Sequence, residues 1–274
     1  MIYHLLLKKH GYLNALRIIT NDKALKKDLF TYFSPFVTYV SDDEVNNYPT
    51  FEFYNTGGVV SSFYNGGECD VEDPLLQISK IISETFYSLE NVIVLHGALL
   101  ERNGAGIIIV APSGTGKTTL SMYLIDYGFK YISDDYVVIT EDGKYTHNIV
   151  TPMRLRQGGI NVLQKENICF SRPLMQTFYG NKERYIYIPR DDQISLYKNL
   201  PVKLIVNIYR DEMNCGSIKM SKIELFNCLL SNSAVSKISN TTFMQKYAKM
   251  LDIDGVFIQY DNFKSFFQEL NKYL

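Results

Sequence analysis

Residues Gly106–Ile139 read GIIIVAPSGTGKTTLSMYLIDYGFKYISDDYVVI, and the order of features in this stretch decides the fold. A run of Ile and Val enters a Gly-rich turn, which is followed by Lys117-Thr118-Thr119, an amphipathic segment and two adjacent aspartates. That order suits a nucleoside triphosphate held with its metal. Gly114 and Gly116 lack a Cβ, so the backbone of Pro112-Ser113-Gly114-Thr115-Gly116 can bring its N–H groups against phosphate oxygens. Lys117 would reach the β- and γ-phosphates, and the Thr118 hydroxyl would bind Mg²⁺. Thr119 lies in the first turn of the helix that follows, whose positive N-terminal end faces the same phosphates. Ala111 stands where the usual pattern has Gly.

The aspartates support the reading through their spacing. Thr118–Tyr127 is ten residues, a helix running about 15 Å away from the phosphates. Gly128 is the predicted stop. Phe129–Ser133 is five residues, a strand returning about 16 Å. The lengths match, so Asp134 and Asp135 arrive back beside Lys117. One carboxylate can serve the metal while the other accepts a hydroxyl proton, and spacing does not choose between them.

Outward from this stretch, the spacing predicts a strand over 91–100 and a hairpin turn at Glu101-Arg102-Asn103-Gly104. His96 falls near the end of that strand, beside the one that feeds the loop. Residues 1–75 are β-rich, with strands expected at 16–19, 36–40, 50–54 and 59–64. Apolar residues at helical spacing predict a helix over 75–89. After Ile139 come a turn at 141–144 and an irregular stretch over 162–182. Strands follow at 184–188, 202–209 and 255–260, with helices at 221–230, 241–250 and 263–274. Arg154 and Arg156 flank Leu155 and so face one side of a strand, where they suit phosphate oxygens or a peptide carboxylate. Arg190 and Arg210 follow strands.

Composition narrows the function classes. The chain has 274 residues, 46% of them hydrophobic, and a formal net charge of −1. These values fit a globular core and argue against a generally nucleic-acid-binding or polybasic membrane surface. No apolar run has the length of a membrane span, and the N-terminus lacks the pattern of a signal peptide. Cys69, Cys169, Cys215 and Cys228 are scattered, which reads as reduced thiols in a cytoplasmic protein.

His96-Gly97-Ala98, the Gly-rich loop, Gly128-Phe129 and Ser133-Asp134-Asp135 together resemble the catalytic domain of HPr kinase/phosphorylase. The likeness is closer to the stand-alone HPr-kinase-like serine kinases of peptide-maturation clusters, such as lasso peptide kinases. It covers 92–140 and continues loosely through Thr151–Arg156 and Pro201–Val206. It implies an α/β fold: a P-loop kinase core of the HPr kinase C-terminal type, with a mixed sheet and flanking helices, over 91–274. A β-rich N-terminal region with one helix occupies 1–90. It further implies Asp134 as the base, Asp135 as the metal-side carboxylate, and His96 in contact with the catalytic aspartate. The corresponding stretch of the parent enzymes reads Glu-x-Arg-Gly with the Glu on a metal. Arg154 stands at that acidic position here, which argues against a second metal and against the reverse phosphorylase reaction.

The expected function is that of an ATP- and Mg²⁺-dependent kinase acting on a serine hydroxyl of a peptide or protein, preferably a ribosomally made precursor peptide. A kinase of free serine or another small hydroxylated molecule is the rival reading, and a non-catalytic nucleotide-binding regulator is another. Neither nucleic acid nor membrane is expected as a partner, and an oligomer is compatible with the sequence.

Overall fold

The computed structural model describes residues 1–7, 16–32, 37–40, 48–69, 74–75, 77–78, 81, 92–148, 150–171, 173–179, 182–211, 213–234 and 240–274. Alternating apolar and polar residues build the first sheet. Its strands are β1 (Tyr3–Leu7), β2 (Leu16–Thr20), β3 (Val37–Tyr39), β4 (Thr50–Thr56), β5 (Val59–Tyr64) and β6 (Gly67–Glu68), in the order β3-β1-β2-β4-β5-β6. Leu16, Ile18 and Thr20 of β2 face inward, as do Phe51 and Phe53 of β4, which is the period of two that a half-buried strand requires. Asp22 starts the helix Lys23–Tyr32, its Oδ1 accepting from the N–H groups of Ala24 and Leu25 at 2.7 and 3.0 Å. Of the helix expected over 75–89, helical residues are described at 74, 75, 77, 78 and 81. The remainder, like the expected boundary between residues 90 and 91, lies outside the described residues.

The second layer contains β7 (Val92–Leu95), β8 (Gly97–Arg102), β9 (Ala105–Val110), β10 (Lys130–Ser133), β11 (Val137–Thr140) and β12 (Tyr145–His147). Further along the chain come β13 (Met153–Leu155), β14 (Met175–Tyr179), β15 (Lys182–Tyr187), β16 (Asn199–Arg210), β17 (Gly216–Lys219) and β18 (Asp254–Tyr260). A small sheet has the order β13-β15-β14, and the large one runs β10-β8-β9-β16-β12-β11-β7, with β18 joining β16 to β17. Ile107, Ile108, Ile109 and Val110 are fully buried because β9 lies inside this sheet with both faces covered. Both β9 and β18 run parallel to β16. The register therefore brings the C-terminal ends of all three strands to one edge of the sheet, where open α/β sheets place their ligands.

The out-and-back path of the central stretch is as expected. The helix Lys117–Asp126 leaves the loop with Leu120 and Leu124 fully buried. Gly128, at φ +88°, stops it, and Phe129 N–H closes the end on Leu124 O at 3.1 Å. β10 then returns beside β8.

Three expectations are corrected. The single strand over 91–100 is two strands, broken at His96. β7 pairs with β11 while β8 pairs with β9 and β10, so the chain changes neighbours there. Gly97 permits the crossing, since a Cβ on it would lie 2.8 Å from Ile109 O. The stretch over 162–182 is also largely regular. It holds the end of the helix Gln157–Lys165, then β14 and the start of β15. Gly158 and Gly159 in the first turn of that helix conceal it from propensity. The closing helix ends at Leu270 rather than at 274.

One hydrophobic cluster unites Leu5, Leu7, Ile18, Phe51 and Phe53 of the first sheet with Val92, Val94, Val138, Ile186, Ile188 and Ile194. Among the described residues no helix is long and apolar enough to cross a membrane.

Candidate functional site

The loop that leaves β9 has the backbone its sequence requires. Gly114 and Gly116 adopt φ +87° and +96°, the left-handed region that L side chains avoid. Lys117 folds back under the turn, its Nζ donating to Ala111 O at 2.6 Å and to Pro112 O at 3.3 Å. Thr115 Oγ1 also donates to Pro112 O, at 2.7 Å. The lysine is buried, and burial lowers its pKa against the opposing charges of Asp134 and Asp135.

The two aspartates take different places. Asp134 is 2% exposed, and its Oδ2 accepts from Thr118 Oγ1 at 2.6 Å. Its main chain is pinned to Thr151, whose Oγ1 accepts from Asp134 N–H at 3.1 Å and donates to Asp134 O at 3.0 Å. Among the described residues its buried Oδ1 has no partner. Burial first, and the charge of Asp135 second, push the Asp134 carboxyl up to about 7.

Asp135 turns out toward the cavity at φ +70°, a conformation that costs a non-glycine residue about 1–2 kcal/mol. His96 holds it there: Nδ1 donates to Asp135 O at 3.0 Å, which leaves Nε2 as the acceptor of the neutral ring. Burial, and then the charge of Lys117, lower the His96 pKa and favour that neutral form. The Asp135 carboxylate faces Arg154, with Nη1 to Oδ2 at 3.9 Å. His96 therefore touches the second aspartate through its carbonyl, and the Thr118 hydroxyl touches the first through its carboxylate.

His96, Lys117, Thr118, Asp135 and Arg154 line a cavity of about 710 Å³, with Asp134 behind the lining. Ser113–Thr119, His96 and Asp135 form one wall; Arg154, Arg156, Gly158, Gly159 and Arg184 form another; Arg210, Tyr260 and Phe263 close a third side. Of the expected nucleotide residues, Pro112 contributes its carbonyl to the loop rather than a lining surface. Arg156 Nη1 lies 3.8 Å from where a Cβ on Gly114 would be. Gly159 meets Thr119 so closely that a Cβ would lie 2.7 Å from Thr119 Oγ1. Arg190 pairs with Asp192 at 3.1 Å on an exposed surface and lies outside the cavity lining.

Sequence reasoning missed Arg184, Tyr260 and Phe263, and it had Arg210 only as a charge after a strand. The signal for Arg210 and Tyr260 is positional: each is the last residue of a strand parallel to β9 or its neighbour.

The residues present fit a nucleoside triphosphate with its divalent cation. The glycine turn can approach phosphates closely, and a hydroxyl next to a buried carboxylate with a free lone pair is suited to a hard cation.

Residues 87–160 match the family described as the HPr Serine kinase C-terminal domain. The HPr kinase/phosphorylase of Treponema pallidum (strain Nichols) is 37% identical over 65 residues, covering 24% of this chain and 19% of its own length. That of Alkaliphilus metalliredigens (strain QYMF) is 38% identical over 66 residues, covering 24% and 21%. Among solved structures, the Hpr(Ser) kinase/phosphatase from Coxiella burnetii aligns over 65% of this chain and 91% of that one, at 14% identity and a TM-score of 0.31. The chain spans about a fifth of the length of the curated relatives it matches. Through this segment the chain is HPr kinase-like, and its α/β core with a phosphate loop, mixed sheet and flanking helices is the expected fold class.

Proposed function

We propose that this HPr kinase-like chain is an ATP-dependent kinase that phosphorylates a serine hydroxyl of a peptide or protein, with a ribosomally made precursor peptide as the preferred acceptor. The observation that carries the reading is the 2.6 Å contact between the Thr118 hydroxyl and the buried Asp134, directly behind a glycine turn with Asp135 facing the open cavity. It supports phosphoryl transfer, in which positioning and charge neutralisation do most of the work.

The N–H groups of Ser113–Thr119 would hold the phosphates. Lys117 would exchange its bonds to Ala111 and Pro112 for phosphate oxygens, and Thr118 would hold Mg²⁺ with an aspartate behind it. The cation supplies charge neutralisation when bound. The hydroxyl contact favours Asp134 as the metal-side carboxylate and Asp135, which reaches the cavity, as the group that takes the acceptor proton. The family resemblance implies the opposite division, and the two differ in measurable ways. His96 fixes Asp135 through its carbonyl and so aims that carboxylate.

Arg154, which faces Asp135, and Arg184 line the cavity and suit acidic or carboxylate groups of an acceptor. The six-stranded N-terminal sheet, outside the matched segment, offers edge strands β3 and β6 to an extended peptide. We treat 1–90 as an acceptor-facing unit and 91–274 as the catalytic one, and we place the protein in the cytoplasm, where ATP and reduced thiols coexist.

The test is transfer from Mg·ATP to precursor peptides encoded beside this gene, read by mass. Phosphorylation at one serine supports the reading. Faster transfer to free serine than to any peptide removes the peptide acceptor and leaves the kinase. Tight Mg·ATP binding with no transfer to either removes the kinase and leaves a nucleotide-binding regulator.

A further inference from the structure

We infer that the acceptor carries a carboxylate close to its target hydroxyl, and that this carboxylate draws Arg154 off Asp135, so that binding the acceptor releases the group that takes its proton. The inference rests on the kinase reading above, with Asp135 as the proton acceptor. It adds the charge of the substrate and the way the site responds to that charge.

The cavity wall is out of balance in charge. Among the described residues the lining carries Lys117, Arg154, Arg156, Arg184 and Arg210, against the single carboxylate of Asp135. Asp134 lies behind the lining with its Oδ2 taken by Thr118. A magnesium-bound triphosphate offsets about two of the positive charges. The remainder is a cationic surplus in a concave space, whose walls focus the field on an incoming anion.

Part of this surplus sits beside Asp135, where the acceptor hydroxyl must come. β13 pairs antiparallel with β15, and Arg154 stands opposite Ile186. Arg184 is two residues before Ile186, so it shares that face with Arg154 as a diagonal neighbour. Glu183 of the same strand belongs to the other face, where its Oε1 accepts from Tyr185 Oη–H at 2.7 Å. Arg184 Nη1 donates to a main-chain oxygen, Glu183 O, at 3.0 Å. Two guanidinium groups on one face repel each other, and a carboxylate between them accepts from both.

Arg154 also restrains Asp135. Its Nη1 lies 3.9 Å from Asp135 Oδ2, with the two side chains 30% and 31% exposed. A part-exposed pair of this kind shifts an equilibrium by about fivefold at most, so a carboxylate in direct hydrogen-bond contact displaces it. Asp135 does not follow the arginine, because its carbonyl is held by His96 Nδ1 at 3.0 Å and its main chain is fixed at φ +70°. The longer side chain moves and the aspartate stays. Its carboxylate is then open to the acceptor hydroxyl and takes the proton. The acceptor oxygen bonds to the γ-phosphorus, and the electron pair of the broken bond leaves on the bridging oxygen of ADP.

The experiment uses the full-length protein with Mg·ATP and one serine peptide in three forms: neutral with an amidated C-terminus, the same with Glu beside the serine, and neutral with a free carboxylate at a C-terminal serine. Wild type should give at least one carboxylate peptide a KM about tenfold lower and a kcat about fivefold higher than the neutral peptide. The peptide that gains identifies the source of the carboxylate, and added salt should shrink its KM advantage. Arg154→Gln, checked for folding by circular dichroism, should raise kcat on the neutral peptide about fivefold and abolish the kcat difference, while Arg154→Lys keeps part of it. Arg184→Gln should move KM alone. Equal KM and kcat for all three peptides in wild type would overturn the inference and leave the kinase standing. A KM advantage without a kcat advantage, or a kcat advantage that survives Arg154→Gln, would overturn the release of Asp135. A protein that binds Mg·ADP but phosphorylates none of the peptides would remove the peptide-kinase reading, and this inference with it.

Discussion

Two walls of the cavity are built in opposite ways. The loop wall is one contiguous run, Ser113–Thr119, whose shape follows from glycines at φ +87° and +96°. The arginine wall is assembled from β13, the start of a helix and β15, and the third side from the ends of β16 and β18. Chemistry that every phosphate needs is written locally in backbone geometry. On the kinase reading, chemistry that would distinguish one acceptor from another is delivered by topology, through side chains distant in sequence. The first wall should therefore fail completely when a single residue changes, and the second by degrees.

The largest effect is expected at the loop. Lys117→Ala should lower phosphotransfer at least about 10³-fold and abolish the thermal shift given by Mg·ATP. The unpaired Ala111 carbonyl should cost only about 1–2 kcal/mol of stability. Wild-type rates from a folded Lys117→Ala protein would show that the loop wall holds something other than phosphate.

The aspartates lie where the walls meet, and they sharpen the comparison next. Asp135→Asn should lower kcat about 10²-fold while Mg·ADP binding persists. Asp134→Asn should raise the Mg²⁺ concentration needed for half-maximal activity about tenfold, since the Thr118 hydroxyl loses its anionic partner. Interchanged phenotypes would restore Asp134 as the base and Asp135 on the metal.

The seam between the walls should show a smaller effect. Gly159→Ala places a methyl on Thr119 Oγ1 and should cost about 1–3 kcal/mol. Because the obstructing atom is a side-chain end, adding Thr119→Ala should return most of the loss. Thermal denaturation of the single and double variants reads this directly, and an unaffected single variant would mean that the walls are not clamped there.

A further effect is a slope in pH. The Asp134 carboxyl is pushed up to about 7 in the fold, against about 4 in the unfolded chain. The folded state thus binds the proton more tightly. The stabilisation is complete below the unfolded pKa and is lost as pH rises through about 7. In EDTA and without nucleotide, the midpoint temperature should fall between pH 5 and 8, and Asp134→Asn should remove that part of the fall. The same slope in both proteins would assign it to other groups.

The loop wall was legible because its requirements are local. Glycine at a positive φ, a lysine next to it and a helix-plus-strand return of matched length all fall within Gly106–Asp135. Most strands were legible too, through alternation in β2 and β4 and through the wholly apolar β9. The break at His96 was not, since Val92–Leu95 and Gly97–Leu100 are equally apolar and only their different partners separate them. The helix Gln157–Lys165 was hidden by glycines that serve its packing against Thr119 rather than its propensity. Tyr260 and Phe263 read as ordinary core aromatics. Their place at the cavity follows from the parallel pairing of β18 with β16, which no local pattern encodes.

The cluster that joins Phe51 and Phe53 to Val92, Val94, Ile186 and Ile188 bears on how such a protein can be cut or recombined. An engineer who replaces that first sheet with another inherits a greasy scar, and the strand carrying Arg184 loses the floor on which Ile186 rests. Chimaeras should therefore precipitate or drift in acceptor choice unless the donor sheet brings a matching apolar face. The two halves would then be exchanged between lineages as a fitted pair rather than as separate modules.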